Sequence, residues 1–185
     1  MKKIFNIMLA LLLVFIPITS NAKGVGQAII GPPTTTVEKM KDWARSKGAH
    51  EEFIRQAQTF YDVSVRYGID PAVTYAQSAK ETNYFKFTGV LTIDYKNPCG
   101  MKTSSGGGDY DKTAHQKFST WEEGITAQVH HLALYAGHKD FPKADSPDPR
   151  HFPFIYNTVS CVEELGGKWA PSKTYGSEIV NMMRA

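Results

Sequence analysis

The chain has 185 residues, 42% of them hydrophobic and 21% charged, with a formal net charge of +3. That composition is ordinary for one globular domain and suffices for a single core. Lysines and arginines are scattered among acids rather than gathered in a patch or stripe, which excludes nucleic-acid binding.

Lys2 and Lys3 open the chain, Ile4 to Ile18 is almost continuously apolar, and Ser20-Asn21-Ala22 offers small residues for cleavage. Residues 1–22 therefore read as a secretory signal. The run is shorter than the roughly 20 residues that cross a bilayer, Pro17 interrupts its end, and no Cys follows that would carry a lipid. Removing it takes the Lys+Arg count from 21 to 19 against 18 acids, so most of the basic charge belongs to the signal. No membrane association is expected after cleavage.

Residues 23–37, rich in Gly, Pro and Thr, read as a linker, with the folded domain at 38–185. A first helix is expected over Glu38 to Ser46. A second runs from Glu51 to Arg66, where Phe53, Ile54, Ala57, Phe60, Tyr61 and Ser64 trace one face until Gly68. The next starts with Asp70 as N-cap and Pro71 at its first position, runs to about Tyr84 and carries Glu81 near its end.

Phe85 to Lys117 contains Gly106-Gly107-Gly108 and short β-prone stretches, so a loop with a small hairpin or lobe is expected. Ser119-Thr120-Trp121-Glu122 reads as a capping box with Ser119 as N-cap, which gives Glu122 a structural role. The apolar face of that helix continues through Ile125, Val129, Leu132 and Ala133 to about Ala136, with Trp121 expected in the core. A Pro-rich loop follows over Phe141 to Pro153, then short helices near Val159 to Leu165 and Thr174 to Met183.

Several segments carry chemistry. Ala72, Ala76 and Ala79 form a small apolar stripe that packs the helix of Glu81, and a carboxyl on a packed helix is partly desolvated. Desolvation raises its pKa and lets it hold a proton near neutrality, as a general acid must. After it come Asn97-Pro98-Cys99-Gly100-Met101-Lys102, Phe118-Ser119-Thr120-Trp121-Glu122 and Trp169-Ala170-Pro171-Ser172-Lys173-Thr174-Tyr175. In this order the segments resemble the glucosaminidase family of bacterial cell-wall hydrolases, glycoside hydrolase family 73. That pattern is a helix with Ala-x-x-Glu-[Ser/Thr], an Asn-x-x-Gly-[Ile/Met]-Lys loop, a Phe-x-x-[Tyr/Trp] helix start and a late Tyr. The resemblance covers Phe53 to the C-terminus.

It implies a mostly helical α+β, lysozyme-like two-lobed domain with a reduced β lobe, an exported monomer acting on the glycan strands of peptidoglycan without cofactor or metal. Glu81 would be the general acid of an endo-β-N-acetylglucosaminidase, with Tyr175 beside the reacting sugar. Gln77, Tyr84, Asn97, Gly100, Met101, Lys102, Tyr110 and Trp169 would contact or shape the sugar site. Many relatives carry a second Glu on a β-hairpin, where this chain has Thr113-Ala114-His115. Asp109 and Asp111 are the nearby acids that could replace it; otherwise the 2-acetamido group of the substrate would serve.

Other readings stand beside this one. A lytic transglycosylase on the same fold also runs with one Glu, and a wall-binding scaffold would leave Glu81 exposed. Cys99 as the nucleophile of a peptide-cleaving enzyme lacks the helix-start setting such thiols use. Cys99 and Cys161, the two cysteines, are either a disulfide or two buried thiols. His130, His131 and His138 lack metal-ligand spacing and are assigned to packing or surface roles.

Overall fold

The computed structural model describes residues 26–185, so the signal segment lies outside the described residues. Among the described residues six α-helices form the body: α1 (Val37–Ser46), α2 (Glu51–Arg55), α3 (Ala57–Arg66), α4 (Pro71–Thr82), α5 (Trp121–Tyr135) and α6 (Tyr175–Met183). Among the described residues there is no strand, only three isolated bridges, and no helix is long and apolar enough to cross a membrane.

Helix α4 is the centre. It starts as its sequence requires, with Asp70 accepting the Ala72 N–H at 3.0 Å and Pro71 in the first turn. Its neighbours are α3 and α6, and Val73 to Ala79 are all buried, so polar side chains on it depend on partners inside the protein, which Thr74 and Gln77 find and Ser78 Oγ does not. Phe53 and Tyr75 stack at 4.1 Å, Phe60 and Phe85 pack edge-on around Phe53, and the Tyr75 hydroxyl donates to the Phe53 carbonyl at 3.0 Å.

The helix stops two residues earlier than expected because Asn83, Tyr84 and Phe85 all turn left-handed, at φ 49°, 58° and 60°. Asn83 tolerates this conformation, but Tyr84 and Phe85 each lose about 1–2 kcal/mol in it. Thr82 Oγ1 accepts the Phe85 N–H at 3.0 Å while donating to the Ser78 carbonyl at 2.7 Å. The Phe85 ring, 1% exposed, stacks on Trp121 at 4.3 Å. Burial of these rings holds the reversal immediately after Glu81.

Three other expectations are corrected. The single helix over 51–66 is two, because the backbone at Gln56 opens to ψ −4° and its side chain bonds back to Glu52. The cap of α5 is Thr120, not Ser119: Thr120 Oγ1 accepts the Glu123 N–H at 3.0 Å, and the Glu123 carboxylate accepts the Ser119 N–H at 2.7 Å. Glu122 instead pairs with Arg66 at 3.1 Å. The stretch at 26–36, read as linker, lies along the body. Ile29 is 1% exposed, its carbonyl accepts from Asp70 N–H at 3.0 Å, and Thr34 Oγ1 donates to the Asp70 carboxylate at 2.6 Å.

The second lobe, between α4 and α5, holds two short 3-10 turns at Ile93–Tyr95 and Lys112–Ala114 and one antiparallel bridge, Lys102 with His115. The expected hairpin shrinks to this bridge because Ser104 to Gly108 supply no apolar side chains to pack. Asn97 organises the lobe instead. Its amide nitrogen donates to the Met101 and Gln116 carbonyls, both at 2.9 Å, and its oxygen accepts from Met101 N–H at 2.9 Å. Gly124 lets α5 close on this loop, since a Cβ there would lie 2.1 Å from the Lys96 carbonyl. Cys99, Met101, Phe118 and Ala127 form a small core against which Trp169 packs, and Trp169 also packs against the main core.

Candidate active site

Glu81 is on the last turn of α4, half-buried where the two lobes meet. Two donors converge on one of its oxygens. Trp169 Nε1–H donates to Glu81 Oε1 at 2.9 Å, and the Tyr175 hydroxyl donates to the same oxygen. Burial pushes the Glu81 pKa up; the bonds from Tyr175 and Trp169 and the charge of Lys80 pull the other way and do not cancel it. The result is a carboxyl that keeps its proton to higher pH than an exposed Glu.

Tyr175 opens α6 and is 3% exposed. Burial first, and the neighbouring Glu81 second, hold its pKa well above the usual phenol value, so it remains a donor. Its oxygen accepts from Gln77 Nε2 at 3.1 Å, and Gln77 Oε1 accepts from Gln128 Nε2 at 2.8 Å. Tyr175 therefore stands behind the carboxyl rather than beside a sugar. Gln77, 0% exposed, is likewise no sugar contact: it is a second layer behind Glu81.

Trp169 is set by a tight turn in which its own N–H donates to the Leu165 carbonyl at 2.9 Å and Gly167 takes φ 77°. Its ring meets His131 edge-on at 4.9 Å. His131 Nδ1 is 2.7 Å from Asp148 Oδ2, and His151 Nδ1 is 3.2 Å from the same oxygen. His151 Nε2 accepts the Lys143 N–H at 3.0 Å, so its ring proton is on Nδ1 and donates to Asp148. Burial alone would raise the Asp148 pKa, but the bonds and charge of His131, with help from Arg150 N–H and His151, outweigh it and lower it. An ionised, buried Asp148 thus braces the wall behind Trp169.

The remaining expected residues separate into two groups. Asn97 and Met101 are buried and shape the loop, and Gly100 takes φ 66° within it. Lys102 is tied down by the Gly107 carbonyl at 2.9 Å and by Asp109 at 2.8 Å. Asp109, its side chain 90% exposed, answers Lys102, while Asp111 caps the Lys112–Ala114 turn by accepting the Thr113 N–H at 2.8 Å. Both have lowered pKa values, Asp109 first through the bond from Lys102 and Asp111 first through the bond from the Thr113 hydroxyl at 2.7 Å, and neither bonds to Glu81. Tyr84, expected at the sugar site, packs inward on Trp43 at 5.5 Å and Phe53 at 6.2 Å because the left-handed turn aims it there. Tyr110 is 92% exposed.

Cys99 and Cys161 are both buried and both free, so the cross-link is not formed. Burial, then the charges of Glu81 and Asp148, push the Cys99 thiol well up, which disfavours the thiolate a nucleophile needs. Among the described residues, no group of three or more His, Cys, Asp and Glu is arranged to hold a metal ion. A cavity of about 490 Å³ lined by Trp43, Tyr75 and Met182 does not include Glu81 and contains no desolvated carboxyl, so chemistry rather than volume selects the Glu81 site.

Gln128, His131, Asp148 and His151 were not singled out as site residues in the sequence. A signal existed for Gln128: a long polar side chain between Ala127 and Val129 on an otherwise buried helix face.

The chain is 30% identical over 127 residues to an uncharacterized protein of Borreliella burgdorferi, a match spanning 69% of this chain and 59% of that protein. Among solved structures, the catalytic domain of the autolysin Auto from Listeria monocytogenes is similar at 16% identity and a TM-score of 0.47, over 83% of this chain and 96% of that one. The sequence profile described as mannosyl-glycoprotein endo-beta-N-acetylglucosaminidase matches residues 57–185, a span that contains Glu81, Trp169 and Tyr175, and the chain belongs to this glucosaminidase family.

Proposed function

We propose that this protein is an exported peptidoglycan hydrolase, an endo-β-N-acetylglucosaminidase that acts as a monomer outside the cytoplasmic membrane with Glu81 as general acid. The observation that carries the reading is the Glu81 carboxyl itself: half-buried, raised in pKa, and oriented by Trp169 and Tyr175. A glycosidic oxygen leaves as a poor alkoxide unless protonated, and a carboxyl whose raised pKa lets it keep its proton to higher pH is suited to supply that proton. Family membership makes a glycan the natural substrate.

The second catalytic group is then the 2-acetamido group of the substrate rather than a protein acid. Asp109 is engaged by Lys102 and Asp111 by Thr113, and no carboxylate among the described residues bonds into the Glu81 site. The same scarcity of acids favours one alternative, a lytic transglycosylase that closes an anhydro sugar with a single Glu.

Purified peptidoglycan digested with wild-type protein and with Glu81→Gln, then reduced and analysed by mass spectrometry, separates these readings. New reducing N-acetylglucosamine ends, absent with Glu81→Gln, are the expected result. Anhydromuramic ends would establish the transglycosylase, and no new ends with wild-type protein would sink both.

A further inference from the structure

The buried chain behind Glu81 has a direction, and that direction is set far from the carboxyl. The Thr74 carbonyl can only accept. Gln128 Nε2 lies 3.1 Å from it and 2.8 Å from Gln77 Oε1, so the Gln128 amide nitrogen faces two acceptors. Reversing that amide would put two bare oxygens against each other at Thr74. The adopted orientation leaves Gln128 Oε1 buried with no partner, a destabilising arrangement that packing alone would not select.

Once Gln128 is oriented, each later link follows. Gln77 must present its oxygen to Gln128 and its nitrogen to Tyr175, 3.1 Å away. The Tyr175 oxygen accepts that proton, which leaves its own single proton directed at Glu81 Oε1. Trp169 Nε1, a donor only, aims at the same oxygen at 2.9 Å. Thr74, Gln77 and Glu81 are three and four residues apart on α4, so the helix itself aligns the series.

We propose that this one-way chain from the Thr74 carbonyl through Gln128, Gln77 and Tyr175 confines the acidic proton of Glu81 to Oε2, and that Gln128 is a positioning residue for the acid. With Oε1 held by two donors, a proton there would face two others. Oε2 is the oxygen left to carry it toward a leaving group. The inference rests on Glu81 being the general acid. The titratable and charged groups facing Glu81 are Lys80 on α4, itself paired with Glu178, Tyr175 on α6, and Cys99 from the loop lobe near Asp148.

The test uses carboxyl-¹³C glutamate and NMR, with the Glu81 resonance assigned by its loss in Glu81→Gln. In Gln128→Met the Gln77 amide loses its anchor and can turn its oxygen to Tyr175. The hydroxyl then donates away from Glu81, whose titration moves up by about one pH unit. In Gln77→Met, Tyr175 has no acceptor except Glu81, so the titration stays at the wild-type position. The double variant returns to that position as well. The alkaline limb of the kcat profile follows the same order.

An unchanged titration in Gln128→Met, or equal shifts in the two single variants, overturns the proposal in favour of a packing role. Should Gln128→Met not fold, neutron diffraction of the unmodified protein at acid pH decides. A deuteron on Oε2 with the Tyr175 O–D aimed at Oε1 supports the proposal, and a deuteron on Oε1 overturns it. Because titration and diffraction do not require turnover, the chain can hold while the glycosidase reading fails, and the reverse.

Discussion

Trp169 and Glu81, 88 residues apart in sequence, are joined by an indole N–H to carboxylate bond of 2.9 Å. Trp169 packs against both the helical core and the small core of the loop lobe, and His131 backs its ring at 4.9 Å. The acid is therefore oriented by a side chain seated where the lobes meet, and a disturbance in either lobe reaches it. A 2.9 Å bond to an ionisable group is also among the stronger contacts of the site.

Glu81→Gln is expected to lower activity on peptidoglycan by about 10²-fold to 10⁴-fold, the usual contribution of a general acid. The same substitution should raise thermal stability at neutral pH, since the amide oxygen accepts the same two bonds and removes the cost of placing an ionisable carboxyl where burial disfavours its charged form. The raised pKa means the folded state binds the proton more tightly than the unfolded chain. Stability from this group is thus present at low pH and lost as pH rises through the folded pKa. Melting temperatures of the two proteins should converge in acid and separate above it. A variant less stable at neutral pH would contradict the burial argument.

The double variant Asp109→Asn/Asp111→Asn should retain most of the activity, within about a factor of 3. Asp109 is 90% exposed at its side chain and serves Lys102, and Asp111 caps a turn. Exposed ion pairs contribute little, because solvent screens them. Steady-state rates on peptidoglycan measure this directly, and inactivity equal to Glu81→Gln would make one of them the second carboxylate.

Reductant should leave the melting temperature unchanged, because Cys99 and Cys161 are free. Thiol titration should find no fast-reacting cysteine in native protein and both after denaturation, given exposures of 4% and 6%. Cys99→Ser puts a hydroxyl into an apolar cluster and is expected to cost about 1–3 kcal/mol while catalysis persists. A melting temperature that falls on reduction would restore the disulfide.

His130 packs between Tyr67 and Phe141, and its Nε2 has no partner. Burial lowers its pKa from 6.5 to about 4, with the charges of His151 and Lys143 acting in the same direction. Between those values the unfolded chain binds the proton more readily than the folded one. Stability is complete above pH 6.5 and declines as pH falls toward 4, by up to ~3 kcal/mol. Urea unfolding across that range should show the decline in wild-type protein and a flatter profile in His130→Phe. Identical profiles would refute the neutral, buried state of His130.

Local signals in the sequence determined a good deal. Asp70 and Pro71 started α4, Glu81 fell at its end, and Asn97, Gly100 and Lys102 belonged to one loop, because capping, helix spacing and turn conformation act within a few residues. Even the errors there were small: the α5 cap moved one residue, from Ser119 to Thr120, since either hydroxyl can serve and packing of the helix chose between them. The partners of Glu81 were decided only by tertiary structure. Trp169 and Tyr175 reach it across 88 and 94 residues, and Gln77 changed from an expected sugar contact to an internal link. Tyr84 turned inward because it and Phe85 follow Asn83 into a left-handed conformation that suits Asn but that neither Tyr nor Phe favours. Such choices are made by burial of Phe85 and by satisfaction of polar groups inside the body, and both come into being only when α4, α5 and α6 are packed together.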